Sequence, residues 1–246
     1  MKILGKLLLF VLILSLIFVV VLGGFGFLKY KSTISTLSIE DATHEIQSRP
    51  GFVHLKDLPQ IYKDGVVAVE DHRFYSHPGF DPIAMIRAIK NDIKARSFVE
   101  GGSTITQQLV KNIYFNHDKS IMRKVAELLI AIQMERNFTK EEILELYVNC
   151  IYFGRECYGI ADASRVYFNK YPWELNDYEA TLLVGIPNGP KYYDPSFNPK
   201  GAVKRHRRVI NDLIRRNYIT KEKGKDILGD EWSESKTGME LSTPVF

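Results

Sequence analysis

Apolar residues fall into two regimes along this chain. Residues 7–28 read LLLFVLILSLIFVVVLGGFGFL, without a single charge. At 1.5 Å per residue, roughly 22 helical residues reach across a hydrocarbon core of about 30 Å. The run is longer than the apolar region of a signal peptide, and no A-x-A site follows it. It therefore reads as an uncleaved transmembrane anchor. Lys2 and Lys6 precede it and favour a cytoplasmic N-terminus, although Lys29 and Lys31 follow it. Residues 1–6 are then a short cytoplasmic tail. Residues 29–50, polar and rich in Ser and Thr, read as a stalk. No second apolar run of this length follows, which puts the rest of the chain outside the cytoplasmic membrane. Residues 51–230 form the main domain and 231–246 a C-terminal tail.

Beyond the stalk the hydrophobic positions keep helical spacing. Asp81-Pro82 is an N-cap followed by a proline at the first helical position, and Ile83, Ile86, Ile89 and Ile93 recur behind it. Thr104 with Gln107, Thr139 with Glu142 and Asn176 with Glu179 are capping boxes, each opening a helix. Ser120 precedes a long helix to about Arg136. On it Ile121, Val125, Leu128, Leu129 and Ile132 form one stripe, while Ile130 and Met134 share a line with Arg123 and Glu127. A helix apolar on two sides is covered on both. Pro187, Pro190, Pro195 and Pro199 break the chain before a last basic helix near residues 202–217. Alternating strands are absent, so the domain reads as mainly α.

Composition narrows the classes. With 45% hydrophobic and 25% charged residues the chain is neither disordered nor a multi-span transporter. A formal net charge of +4 is too weak for nucleic-acid binding, yet compatible with acidic lipids or phosphorylated substrates. Two cysteines, Cys150 and Cys157, exclude a disulfide framework and a cysteine-built zinc site; free thiols are expected.

Three segments carry candidate chemistry. Glu70 and Asp71 end an apolar helix, where carboxylates oppose the helix dipole. Such misplacement is as compatible with a solvated helix end as with a working group. Glu127 lies on a semi-buried line one turn from Arg123, the setting of a structural ion pair or of a functional carboxylate. Gly101-Gly102-Ser103-Thr104 opens a helix whose free N–H groups could meet an anion, with Lys111, Lys119, Arg123 and Lys124 close behind. Each has a plainer reading as a turn or a solvated face.

Together the segments resemble glycosyltransferase family 51, the peptidoglycan glycosyltransferases, over about residues 59–195. The E-D-x-x-F-x-x-H-x-G-x-D motif is met by Glu70, Asp71, Phe74, His77, Gly79 and Asp81. G-G-S-T-I-T-Q-Q is met from Gly101 to Gln108, followed by Lys111 and Asn112. R-K-x-x-E is met by Arg123, Lys124 and Glu127, and K-x-x-I-L-E-x-Y-x-N by Lys140, Ile143, Leu144, Glu145, Tyr147 and Asn149. Lys119 stands where many relatives have Arg, which weakens a bidentate phosphate contact, and Cys150 replaces a more usual Asn.

The resemblance implies a lysozyme-like α fold and polymerisation of lipid II, a disaccharide-pentapeptide on undecaprenyl diphosphate. It implies an inverting single displacement with Glu70 as general base and Glu127 at the leaving diphosphate, directly or through a divalent cation, Mg²⁺ or Mn²⁺. No organic cofactor is implied. Lys111, Lys119, Arg123 and Lys124 would stabilise the phosphate charge. Ser103, Thr104, Gln107 and Gln108 would orient sugar and phosphate, and Asp71 and Phe74 would join the substrate-binding set. His77 would be structural, holding the loop before Asp81. Partners would be lipid II, the growing glycan, the membrane and other cell-wall synthesis proteins.

Ser233-Glu234-Ser235-Lys236 and Lys236-Thr237-Gly238 mimic transpeptidase motifs but overlap within six residues, so a monofunctional enzyme is expected. The basic helix with Lys204, Arg205, Arg207, Arg208, Arg215 and Arg216 also carries Val209, Ile210, Leu213 and Ile214, and reads either as a solvated helix against the core or as a face on anionic lipid headgroups. Two rival functions remain: a lysozyme-like glycan-cleaving enzyme and a non-catalytic, membrane-tethered scaffold.

Overall fold

The structure is a computed structural model and describes residues 2–95, 101–115, 118 and 120–229. Lys119, Ser233–Gly238 and the 231–246 tail, all named above, lie outside the described residues.

The described chain is mainly α. Helix α1 (Lys2–Thr36) leads into α2 (Ile39–Gln47), α3 (Gln60–Glu70), α4 (Pro82–Ala95), α5 (Ile105–Tyr114), α6 (Ile121–Asn137) and α7 (Lys140–Cys150). A hairpin of β1 (Tyr152–Gly154) and β2 (Cys157–Tyr158) follows. Then come α8 (Ile160–Phe168), α9 (Asp177–Gly185), α10 (Pro190–Tyr193), α11 (Pro199–Arg215) and α12 (Lys221–Leu228).

All three expected capping boxes form, at Thr104, Thr139 and Asn176. Helix α9 is buried on every side, through Ala180, Leu182, Leu183 and Val184, and is the centre against which α3 and α11 pack. A Cβ on Gly65 of α3 would lie 2.9 Å from Val184, so glycine there sets how closely α3 and α9 approach. Helices α5, α6 and α7 complete the core through Leu109, Ile130, Met134 and Leu144.

Four sequence expectations change. The 29–50 segment, read as a stalk, is helical over most of its length. Its first part continues α1 as far as Thr36, and α2 turns Ile39, Ala42 and Ile46 into the core beside α7. Full burial of Ile39 and Ile46 is worth about 2 kcal/mol each. Helix α6 is covered on both sides as expected, but its core face is Ala126, Ile130, Ala131 and Met134, while Val125 meets α1 at Gly26. Lys29 Nζ pairs with Asp118 at 3.1 Å, and Tyr30 donates its hydroxyl to Gln133 Oε1 at 2.8 Å along the same seam. Pro199 opens α11 rather than stopping the chain, with Asn198 accepting from Gly201 N–H at 3.0 Å. The hairpin was not foreseen. Its turn puts Arg155 and Glu156 at φ of 52° and 61°, where Asn-Gly would be expected. Arg155 pairs with Asp194 at 3.2 Å and lies over the Tyr167 and Phe197 rings, which offsets the backbone cost.

Cys150 and Cys157 are both buried and free, as expected. Burial pushes the Cys150 thiol up to about 12.

Candidate active site

The ends of α3 and α5 and the flanks of α4, α6 and α11 enclose an open cleft of about 1390 Å³. Glu70 and Glu127 both line it, in unlike settings.

Glu70 is the last residue of α3, with its side chain 12% exposed. Gln108 Nε2 donates to its Oε2 at 3.0 Å, and Tyr147 in turn donates to Gln108 Oε1 at 3.3 Å. Arg205 Nη2 stands 3.5 Å from Oε1, which makes no hydrogen bond. Burial, with the Glu70 charge adding to it, pushes the hydroxyls of Tyr62 and Tyr147 upward, so both remain neutral donors.

Glu127 is 1% exposed on α6. Arg123 Nη1 donates to its Oε2 at 3.1 Å, and Lys124 Nζ pairs with Oε1 while donating to Ser103 Oγ at 2.9 Å. Both oxygens are thus matched by cations, a full compensation of a buried charge. This donor set does not fit a metal ion held by Glu127. Among the described residues no group of three or more His, Cys, Asp or Glu could hold one.

Several expected substrate ligands are engaged within the fold itself. Asp71 is buried, accepting from Ile105 N–H at 3.0 Å and meeting His77 Nε2 at 2.8 Å. The anion at the α5 N-terminus is therefore the protein's own carboxylate. Thr104, buried, caps α5 and donates its hydroxyl to the Gly79 carbonyl at 2.7 Å. Gln107 returns its Oε1 to Thr104 N–H at 3.1 Å, although it also borders the cleft. Phe74 is fully buried beneath Lys140, whose ammonium lies 4.4 Å from the ring centre. Lys140 also donates to the His77 carbonyl at 2.7 Å. The structure thus gives His77 the structural place expected of it.

Asp81 caps α4, accepting from Ile83 and Ala84 N–H at 2.9 and 3.1 Å, and pairs with Arg73 at 3.0 Å. Burial alone would raise its carboxyl. The Ala84 N–H, the Arg73 charge and the Ile83 N–H outweigh burial and hold it below its ordinary value. The fourth motif is structural too: Glu145 accepts from Leu55 N–H at 2.6 Å, and Asn149 brackets both backbone groups of Val53 at 2.8 Å.

What remains on the cleft wall from the expected set is Glu70, Ser103, Gln107, Gln108, Lys111 and Glu127. Sequence reasoning missed the opposite wall. Arg205, Arg208, Asp212 and Arg215 of α11 face the cleft with Arg87 and Lys94 of α4. Their i, i+3, i+7, i+10 spacing on one predicted helix was the available signal. The basic helix packs on the core through Val209, Ile210 and Leu213, as one of its two readings expected, and its charged face also borders the cleft.

Comparison with known proteins decides the family. The family model described as Transglycosylase matches residues 38–214. The chain belongs to the transglycosylase family. Penicillin-binding protein 1A of Aquifex aeolicus is 42% identical over 171 residues, 70% of this chain and 24% of its own length. Penicillin-binding protein 2D of Bacillus subtilis is 40% identical over 191 residues, 78% of this chain and 28% of its own. This transglycosylase chain thus spans about a quarter of the curated relatives it matches. A crystal structure of penicillin-binding protein 1A from Haemophilus influenzae aligns with 73% of this chain and 17% of its own, at TM-score 0.44 and 24% identity. The family assignment does not rest on that structure.

Proposed function

We propose that this transglycosylase is a peptidoglycan glycosyltransferase that polymerises lipid II into β-1,4-linked glycan and releases undecaprenyl diphosphate. The observation that carries the reading is the contrast between the two cleft carboxylates. One is neutralised by two cations. The other keeps an oxygen without a hydrogen bond. Environments that differ in this way separate two roles for the same side-chain type.

In the proposed reaction the 4-hydroxyl of the acceptor GlcNAc attacks C1 of the donor MurNAc. Glu70 takes the hydroxyl proton as the new C–O bond forms. The C1–O bond to the lipid diphosphate breaks, its electron pair leaves with the phosphate, and the configuration inverts from α to β. Lys111, Arg123 and Lys124 stabilise the departing charge. Glu127 acts through the two cations that it orients, since its own oxygens are already matched. In a polymerisation both reactants carry a lipid diphosphate. The second cationic wall, formed by Arg208 and Arg215 of α11 with Arg87 and Lys94 of α4, suits the second one.

The helix Gly5–Thr36 is long and apolar enough to cross a membrane. With its N-terminus cytoplasmic, the cleft would open on the outer face, where lipid II presents its sugars. The test is direct. Purified protein is incubated with fluorescent lipid II and the products separated. Polymer is expected; cleaved glycan would support a hydrolase, and unchanged lipid II a scaffold.

A further inference from the structure

Two helices end side by side next to the cleft. Helix α3 ends at Glu70 and α9 at Gly185. Each presents carbonyls without a helical partner and the negative end of its dipole. A carboxylate added at such a junction is electrostatically misplaced. One side chain serves both ends. Arg205 Nε donates to the Gly185 carbonyl at 3.2 Å, and its Nη2 stands 3.5 Å from Glu70 Oε1. The side chain is only 12% exposed, and its guanidinium also rests 5.7 Å from the Tyr193 ring centre. Gly185 makes room for it: a Cβ there would lie 2.9 Å from Arg205 Cγ.

The separation matters chemically. At 3.5 Å the guanidinium attracts Oε1 without occupying its lone pair, while Gln108 fixes Oε2 by a true hydrogen bond at 3.0 Å. The carboxylate is held from both sides, yet Oε1 can still accept a proton. We propose that Arg205 is the positioning residue of Glu70: it holds the carboxylate oriented with Oε1 open to the attacking hydroxyl. The inference rests on the reading of Glu70 as general base.

Removing the cation favours the neutral acid. The groups around Glu70 are Tyr62 on α3, Gln108 and Lys111 on α5, Glu127 on α6, Tyr147 on α7 and Arg205 on α11, with Asp71 and His72 following it in the chain. The two tyrosines stay neutral. His72, lowered by burial and by Arg216 and Arg87, is the neighbour that titrates nearest neutrality, so profiles are also taken in a His72→Gln background.

The experiment compares wild type, Arg205→Gln, Arg205→Lys and Gly185→Ala on lipid II, following kcat, KM and the pH profile of kcat. Arg205→Gln should lower kcat by about 10- to 100-fold, the scale of an impaired general base, with KM changed less than about twofold. Its acid limb should move to higher pH in both backgrounds. Arg205→Lys should restore the limb and only part of kcat. Gly185→Ala, which keeps the charge but displaces the stem, should lower kcat alone. A loss confined to KM, or an unmoved acid limb, would overturn the proposal. If Arg205→Gln does not fold, wild-type kcat in Gly185→Ala would overturn it. Glu70→Gln separates the two readings. If that variant is dead while the Arg205 variants behave as wild type, only the role of Arg205 fails. If it turns over normally, the base assignment itself fails.

Discussion

Thr104 and Gly79 are 25 positions apart in sequence, yet the Thr104 hydroxyl donates to the Gly79 carbonyl at 2.7 Å. The same oxygen accepts from Gln107 N–H at 3.1 Å. One buried hydroxyl therefore starts α5 and ties down the loop that follows Glu70. Gly79, at φ of 90° and with its Cα against the Ala131 backbone, leaves no room for another residue in that loop. Thr104→Ala should destabilise the domain by about 1–2 kcal/mol, the sum of a lost cap and a stranded buried carbonyl. Activity should fall with it, and Thr104→Ser should recover most of both. Chemical denaturation and lipid II turnover measured on the same samples check this; an Ala variant as stable as wild type would refute it.

The two cleft carboxylates should respond differently to neutral replacement. Glu70→Gln keeps the shape and should cut polymerisation by at least about 100-fold with little change in folding. Glu127→Gln leaves Arg123 and Lys124 without their shared anion. It should be comparably inactive and also less stable, by about 3 kcal/mol, because a buried ion pair has been broken on one side. Manganese binding to the protein alone, read by electron paramagnetic resonance, should be the same in Glu127→Gln and wild type. A site lost with the mutation would restore the metal reading of Glu127.

Asp81 sets an acid limit on folding. Its carboxyl is held below its ordinary value of 3.8, so its contribution is complete above that value. It is lost as pH falls through the lower, folded value, where the native carboxylate must finally take up a proton. Asp81→Asn should cost about 1–3 kcal/mol at neutral pH through the lost cap and the unpaired Arg73. It should also flatten the dependence of stability on pH below about 4. Parallel denaturation curves for the two proteins across that range would contradict this.

The seam between α1 and α6 is a packed interface. Any side chain at Gly26 would overlap Val125. Gly26→Leu should lower the thermal midpoint in detergent without altering helix content. Deleting residues 1–28 uncovers the outer side of α6, so the shortened protein should need detergent to stay monodisperse in light scattering. A truncated domain that is monodisperse and fully active in plain buffer would show that α1 is a tether only.

The helices were legible in the sequence because their start signals are local. Thr104, Ser120, Thr139 and Asn176 each bond to a backbone N–H three residues on. The hairpin was not, because its two left-handed turn residues depend on Asp194, far along the chain. The paired carboxylates were visible as motif members, but motif spacing does not tell a ligand from a brace. Phe74, Asp71 and Thr104 look like substrate contacts in sequence and are buried supports in space. Conversely, Arg205 lies 135 positions from Glu70, and only folding brings α11 across α3.

Helix α1 runs without interruption to Thr36, and only Leu37 and Ser38 separate it from α2. At 1.5 Å per residue its length is about 52 Å, well beyond the roughly 30 Å a bilayer core requires. On the proposed reading of α1 as a membrane anchor, the surplus would stand above the lipid as a mast, braced to the domain by Lys29 and Tyr30. A domain on a mast keeps a constant height and bearing as it drifts, and can only turn about the membrane normal. For the lipid-borne substrate proposed above, encounter would become a meeting in a plane between partners already facing one another. A few Gly-Ser residues inserted after Thr36 would turn the mast into a leash and give that orientation away.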